Sequence, residues 1–251
     1  MARTIAIANQ KGGTGKTTTA VHLAAALVAK GKRVLVVDID PQANATIFLG
    51  ISPDSLATSL YHILIGQVQP QEVVRSSAVL ALDIIPATPD LAGATVELLD
   101  LEDREERLRK ALTIFRNNYD IIIIDCPPSL GMLTVNALAA ADEVIVPVNP
   151  SPFAIEGLKQ LAETIELINR NLGSELAISG VILTMRERRS ELGRRIEKLV
   201  RNMPHRVFEV AIPKTSAMAK APFAGVPLII NDPNDDAVRA YSMLADELLN
   251  S

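Results

Sequence analysis

The chain has 251 residues, 48% of them hydrophobic and only 3% aromatic, so there is ample material for a core of Ala, Val, Leu and Ile, which excludes a disordered chain and suits a parallel sheet under helices. One cysteine excludes a disulfide framework or a Cys-only zinc site, and a net charge of −4 means that a nucleic-acid partner must be sought in a local patch. No apolar run reaches ~18 residues and residues 1–9 lack the apolar stretch of a secretory signal, so a soluble, cytoplasmic protein is expected.

Runs rich in β-branched residues cover 4–8, 33–38, 82–86, 120–125, 143–148, 177–184 and 206–212. Helical patterns lie between most of them. This alternation predicts an α/β fold with a mostly parallel, twisted sheet of about seven or eight strands flanked by helices. No linker or repeat interrupts it, so residues 1–251 read as a single domain. The first strand starts near residue 4, which leaves no room for an N-terminal helix-turn-helix domain.

The first run leads into Asn9-Gln10-Lys11-Gly12-Gly13-Thr14-Gly15-Lys16-Thr17-Thr18-Thr19 and then into an Ala-rich helix up to Lys30. Glycines let successive N–H groups converge on one anion, and a helix start adds positive potential. Lys16 can reach β/γ-phosphates, and Thr17 can offer a hydroxyl to Mg²⁺. The general phosphate-loop pattern wants Gly where this chain has Gln10. It has instead an extra lysine before the glycines. Residue chemistry alone leaves Lys11 as either a solvated loop lysine or a second phosphate ligand.

Lys-Gly-Gly-x-Gly-Lys-Thr-Thr resembles the deviant Walker A motif of the ParA/MinD superfamily of ATPases, members of the P-loop NTPase fold. The resemblance implies binding of ATP with Mg²⁺ by Lys11, Gly12, Gly13, Thr14, Gly15, Lys16, Thr17 and Thr18. It implies that Lys11 reaches across a homodimer interface to the ATP of a second copy.

The run 33–38 continues as Asp38-Ile39-Asp40-Pro41-Gln42. Alternation puts Asp38 and Asp40 on one side of the strand, at the carboxyl end where ligands sit in open α/β sheets. Asp40 is placed to orient or activate water. Asp38 reads as a turn cap. The resemblance agrees, because Asp-x-Asp-Pro-Gln is similar to the family's switch I, where the second Asp is needed for hydrolysis. Lys11, Lys16 and Asp40 are therefore the expected catalytic residues.

Residues 91–116 read as one long helix with dense mixed charge. The apolar run after it ends in Asp125-Cys126-Pro127-Pro128, a Walker B arrangement similar to the family's switch II. Thr17, Asp40 and Asp125 are the expected Mg²⁺ ligands. Cys126 reads as structural, because an iron–sulfur role of the nitrogenase iron-protein kind needs two cysteines per chain.

Residues 185–206 carry eight Lys/Arg against three Glu, a charge of +5 that leaves −9 for the rest of the chain. From Ser190 the pattern is helical. Leu192, Ile196, Leu199, Val200 and Met203 form an apolar stripe, Arg194, Lys198 and Arg201 a basic one, and Pro204 ends the helix. No aromatics interleave, so a phosphate backbone is the fitting partner rather than bases. ParA-like proteins bind nucleoid DNA non-specifically as ATP dimers. Carried onto this chain, Arg186, Arg188, Arg189, Arg194, Arg195, Lys198 and Arg201 are DNA candidates. Lys214 and Lys220 stand in for a second family position that here falls near the uncharged Met218. In the loop after the last strand, Pro213 and Thr215 are expected to close the adenine pocket.

The resemblance thus implies a partition ATPase. It dimerises on ATP, binds double-stranded DNA non-specifically, associates with the nucleoid and is released when a ParB-like or adaptor protein stimulates hydrolysis. The cargo is a chromosome, plasmid or protein body. One alternative is a MinD-type ATPase on a membrane. The segment 235–251 has the required apolar stripe (Val238, Tyr241, Leu244, Leu248), but its net charge is −3, so it is expected to pack on the sheet, with no membrane partner. The other alternative is a small-molecule P-loop synthetase or kinase, for which no substrate constellation stands out.

Overall fold

The computed structural model describes residues 1–187 and 190–250. In chain order the strands are β1 (Arg3–Ile7), β2 (Val34–Asp38), β3 (Arg75–Ser76), β4 (Leu82–Ile85), β5 (Ile121–Asp125), β6 (Glu143–Val148), β7 (Ala177–Arg186) and β8 (Val207–Pro213). The helices are α1 (Lys16–Ala29), α2 (Asn44–Phe48), α3 (Leu60–Leu64), α4 (Pro70–Val73), α5 (Leu91–Glu97), α6 (Arg107–Leu112), α7 (Met132–Ala140), α8 (Ala154–Leu172), α9 (Glu191–Arg201), α10 (Ser216–Lys220), α11 (Leu228–Asn231) and α12 (Asp236–Leu249).

All eight strands form one sheet in the order β3-β4-β2-β5-β1-β6-β7-β8. Every pairing is parallel except β3 with β4. Each of the seven runs read from the sequence is a strand. The eighth, β3, is a two-residue antiparallel edge strand, too short to leave a periodic signal.

Central strands β2, β5 and β6 are buried along their whole length, as strands covered on both faces must be. Alternate residues serve opposite cores. Ile5, Val36 and Ile123 face α1 and α12 through Leu23, Leu27, Tyr241 and Leu244. Ala6, Val37 and Ile124 face the other layer through Leu91, Leu108, Leu138 and Leu158. The chain leaves β1 in one direction toward β2 and later crosses to β6 on its other side. That reversal opens a crevice at the carboxyl ends of β1, β2 and β5.

Two expectations are corrected. Residues 91–116 do not form one helix. α5 stops at Glu97, a 3-10 turn covers Leu98–Asp100, Asp103 sits at φ 53° and α6 starts only at Arg107. A tertiary contact fixes the break. Buried Asn136 on α7 accepts from the Leu108 amide at 3.1 Å and donates to the Arg104 carbonyl at 2.6 Å. It satisfies backbone groups that a continuous helix would pair internally. The apolar stripe of α9 is narrower than expected: Ile196 and Val200 are buried, while Leu192 and Leu199 are exposed. The terminal helix α12 packs as expected, with Val238, Tyr241, Leu244 and Leu248 all turned into the core. Among the described residues, no helix is long and apolar enough to cross a membrane.

Candidate nucleotide site

The loop between β1 and α1 lies at the mouth of the crevice. Gly13 and Gly15 hold φ of 71° and 86°, a region a side chain resists, and Gly15 is the N-cap of α1. No side chain caps that helix start and no acidic residue occupies its first turn. Its amides are therefore left facing the cleft, a ready anion site.

Two buried polar residues that the sequence did not single out hold the loop in place. Asn9 donates to the Pro147 carbonyl at 2.7 Å and accepts from the Lys11 amide at 3.0 Å. Thr184 donates to the Thr14 carbonyl at 2.7 Å. Their only sequence signal is a polar residue at the end of an apolar strand run.

Lys16 is buried, and its ammonium donates to the Lys11 carbonyl at 3.2 Å. Burial pulls its pKa below the usual lysine value, while Asp125, Cys126 and Asp40 oppose that shift. Lys11 behaves differently. Its exposed side chain leaves the loop and donates to the Ser151 hydroxyl at 2.9 Å, with the ammonium 5.5 Å from the Phe153 ring centroid. Phe153 is itself 71% exposed.

The carboxylates at the strand ends differ in their partners. Asp38 accepts from the Asp40 amide at 3.2 Å, inside the turn it was expected to cap, and also from the Thr46 amide and hydroxyl farther along the chain. Asp40 is nearly buried, accepts from the Gln42 amide at 3.0 Å and lines the cleft. Asp125, the register partner of Asp38, is fully buried, and neither of its oxygens has a hydrogen-bond partner among the described residues. Burial, then Asp38 and Asp40, raises its pKa well above the carboxylate range. The nearby Thr17 hydroxyl and Lys16 oppose that shift without a bond of ordinary geometry. An orphaned carboxylate in the core is costly, so the chemistry of this donor set fits a hard cation. Cys126 is buried and unpaired, and burial pushes its thiol pKa up, which makes it inert.

The polar cleft, about 300 Å³, is lined by Gly12, Gly13, Gly15, Lys16, Thr17, Thr18 and Asp40. A second cavity of about 300 Å³ adjoins it through Gly15, Thr18 and Met185 and is mostly apolar. Ile212, Pro213, Thr215, Met218 and Tyr241 line this one. The arrangement offers a charged end for phosphates and an apolar end for a flat ring. Thr215 caps α10 by accepting from the Met218 amide and donates to Asp235, so its hydroxyl is already engaged.

The basic candidates separate into two sets. Arg194, Arg195 and Lys198 are exposed on α9 and carry no ion pair among the described residues, and Lys220 is exposed on α10. Arg201 is placed differently from the other three on α9. It turns inward to Glu197 and to the carbonyls of Phe208 and Glu209 rather than joining a solvent stripe. Arg186 shares that same Glu197, and Lys214 pairs with Glu187 at 2.6 Å. Arg188 and Arg189 lie outside the described residues.

A family model described as "AAA domain" matches residues 2–178. The sporulation initiation inhibitor protein Soj of Bacillus subtilis is 46% identical over 249 residues, covering 99% of this chain and 98% of that protein. The chromosome partitioning protein ParA of Myxococcus xanthus is 44% identical over 248 residues, covering 98% and 88%. The chain belongs to the ParA/Soj family of partitioning ATPases. A solved structure with a TM-score of 0.89 and 36% identity covers 100% of this chain and 95% of its own. It is that of cobyrinic acid a,c-diamide synthase from Mycobacterium smegmatis, with bound ADP and magnesium. The part of the chain matched by the family model holds Lys11, Lys16, Asp40 and Asp125. Pro213, Thr215 and α9 lie beyond it, in the part that the full-length relatives also cover.

Proposed function

We propose that the chain is an ATP-timed partition protein: ATP closes a homodimer, the dimer holds double-stranded DNA without sequence preference, and hydrolysis stimulated by a ParB-like or adaptor protein releases it. The observation that carries the nucleotide half is Asp125, a fully buried carboxylate beside the phosphate loop whose two oxygens find no partner among the described residues. With Thr17 and Asp40 it would hold Mg²⁺, whose charge would offset that of the β- and γ-phosphates. The α1 amides and Lys16 bind the phosphates, and the apolar cavity behind Pro213 and Thr215 takes the base. Asp40 holds the attacking water at a carboxylate oxygen.

Lys11 supports the dimer. Its ammonium is turned to Ser151 and Phe153, not into its own loop, and so is available to the phosphates of a second copy. A cation enclosed there gains strength from exclusion of water. Arg194, Arg195, Lys198 and Lys220 supply the backbone-binding charge, with Arg188 and Arg189 as further candidates. The protein would reside in the cytoplasm on the nucleoid.

Asp40→Ala tests this reading. ATP binding should survive, hydrolysis should fall roughly a hundredfold, and gel filtration should find a lasting ATP dimer that shifts unrelated duplexes. Wild-type turnover in that variant, or wild-type DNA retention indifferent to ATP, sinks the proposal. The synthase name on the solved structure favours a second reading, a small-molecule synthetase. ATP turnover driven by a corrinoid acid and indifferent to DNA would support it. A MinD-type role has less behind it, since the apolar side of α12 is spent on the core; ATP-dependent sedimentation with liposomes would revive it.

A further inference from the structure

Asp40 sits in a loop that has to be held still. The loop runs from the end of β2 to α2 and contains Ala43 at φ 53°, a left-handed conformation that a non-glycine residue resists. Something must pin both ends of that bend. The pin is Asp38, whose buried carboxylate accepts from the Asp40 amide at 3.2 Å at the start of the loop. At the far end it accepts from the Thr46 amide at 2.8 Å and the Thr46 hydroxyl at 2.7 Å.

The Thr46 hydroxyl is used twice. Having given its proton to Asp38, its oxygen accepts from the Ala87 amide at 3.0 Å. Ala87 follows β4, the strand on the other flank of β2. Thr46 and Asp38 are both fully buried, so no water substitutes for either bond. One hydroxyl thus ties the bend to the neighbouring strand. The same segment continues to Thr88, which pairs with buried Ser59 at 3.0 Å. The tie is anchored in the sheet edge and not in the loop alone.

We infer that Thr46 is a positioning residue for hydrolysis: its hydroxyl, bridging Asp38 and the Ala87 amide, fixes the loop that presents Asp40. The inference rests on the proposed role of Asp40 and adds to it a residue that acts through Asp38 and the Ala87 amide. Loss of the bridge leaves the carboxylate group free to drift, and small displacements of a catalytic group are expensive in rate.

Thr46→Val keeps the side-chain shape and removes the hydroxyl, whereas Thr46→Ser keeps the hydroxyl. In Thr46→Val the turnover number should fall roughly ten- to hundredfold, with ATP affinity within about twofold of wild type. Thr46→Ser should recover turnover to within about threefold. Independently of catalysis, amide hydrogen exchange in nucleotide-free protein should speed up over residues 40–47 in Thr46→Val and stay near wild type in Thr46→Ser. If the valine variant does not fold, Thr46→Ala removes the hydroxyl without setting a methyl group against the carboxylate, and the same losses are expected. Normal turnover and exchange in the hydroxyl-free variants, alongside an inactive Asp40→Ala, would overturn the role of Thr46 and leave that of Asp40 standing. Normal turnover in Asp40→Ala would instead remove the reading on which this one rests.

Discussion

The nucleotide cleft and the basic helix α9 are both rich in charge, yet they treat it in opposite ways. In the cleft, Lys16, Asp38, Asp40 and Asp125 are buried and each has a specific neighbour or a specific lack of one. On α9, Arg194, Arg195 and Lys198 stand in solvent, while Glu197 pairs with both Arg186 and Arg201 and offsets one of their two charges. A buried charge must be answered by geometry, so its role can be argued from the absence of a partner. An exposed charge contributes through number and salt, so its role depends on which cations are left over. Counting charges along a sequence works for neither: it misses the orphan in the core and overcounts the surface.

The cleft should break hardest. Lys16→Ala removes a buried cation from the floor of the phosphate site, and ATP affinity should fall roughly a hundredfold or more. Titration calorimetry with an ATP analogue and magnesium reads this directly. Near-wild-type affinity would put the phosphates elsewhere.

Next in size is a pH effect behind the same cleft. His22 on α1 is buried, with Nδ1 2.8 Å from the Thr18 carbonyl and Nε2 accepting from the Leu228 amide at 3.2 Å. Burial lowers its pKa from 6.5 to about 4. The unfolded chain therefore takes up the proton first as the pH falls. The stability that neutral His22 confers is fully present above pH 6.5 and drains away toward pH 4, a loss of about 3 kcal/mol. In His22→Gln that contribution is absent. Urea unfolding at pH 7 and pH 4 should find the gap between wild type and variant narrowing by about 3 kcal/mol. A gap that stays constant would mean that the ring takes up its proton as readily in the folded chain as in the unfolded one.

What could be read from the sequence follows the same division. The seven long strands were legible because a buried parallel strand must be a run of Val, Ile and Leu. The phosphate loop was legible because amides converging on an anion need glycines at fixed spacing. Asp125 was legible because it ends such a run, and Asp40 because it follows one by two residues. Asn9, Thr184, Thr46 and Asn136 were not: each is a lone polar residue whose partner is a backbone group far along the chain, and no local period records that. Asn136 takes up the Arg104 carbonyl and the Leu108 amide at the break in the long helix expected over 91–116. The helical spacing of Arg201 matches Arg194 and Lys198, but spacing alone did not reveal that its side chain follows Glu197 and the edge of β8. Residue 189, which the family resemblance made prominent, and residue 188 beside it lie outside what the structure describes.

On the surface side, the leftover cations should carry the DNA. Arg194→Glu with Lys198→Glu should weaken binding to unrelated duplexes by roughly tenfold or more at 0.1 M salt and lower the slope of log affinity against log salt by about 2. Arg201→Ala should leave DNA affinity within about twofold and cost about 1 kcal/mol of stability, because what it loses is the ion pair with Glu197 and the hydrogen bonds to the Phe208 and Glu209 carbonyls. Were Arg201 as damaging to DNA binding as the other two, the separation of the cations into two sets would be wrong.

The smallest effect separates charge from placement. The Ser190 hydroxyl caps α9 by accepting from the Gly193 amide at 2.9 Å. Ser190→Ala changes no charge, but it removes a cap worth about 1 kcal/mol and frays the first turn, which leads into Arg194 and Arg195. If position matters, DNA affinity should fall about two- to threefold with the salt slope unchanged, and Ser190→Thr should restore it. If the cations act only as a diffuse cloud, Ser190→Ala should bind DNA as wild type does, even while hydrogen exchange at the start of α9 quickens. That outcome would make the surface even less like the cleft, where moving one carboxylate is expected to change everything.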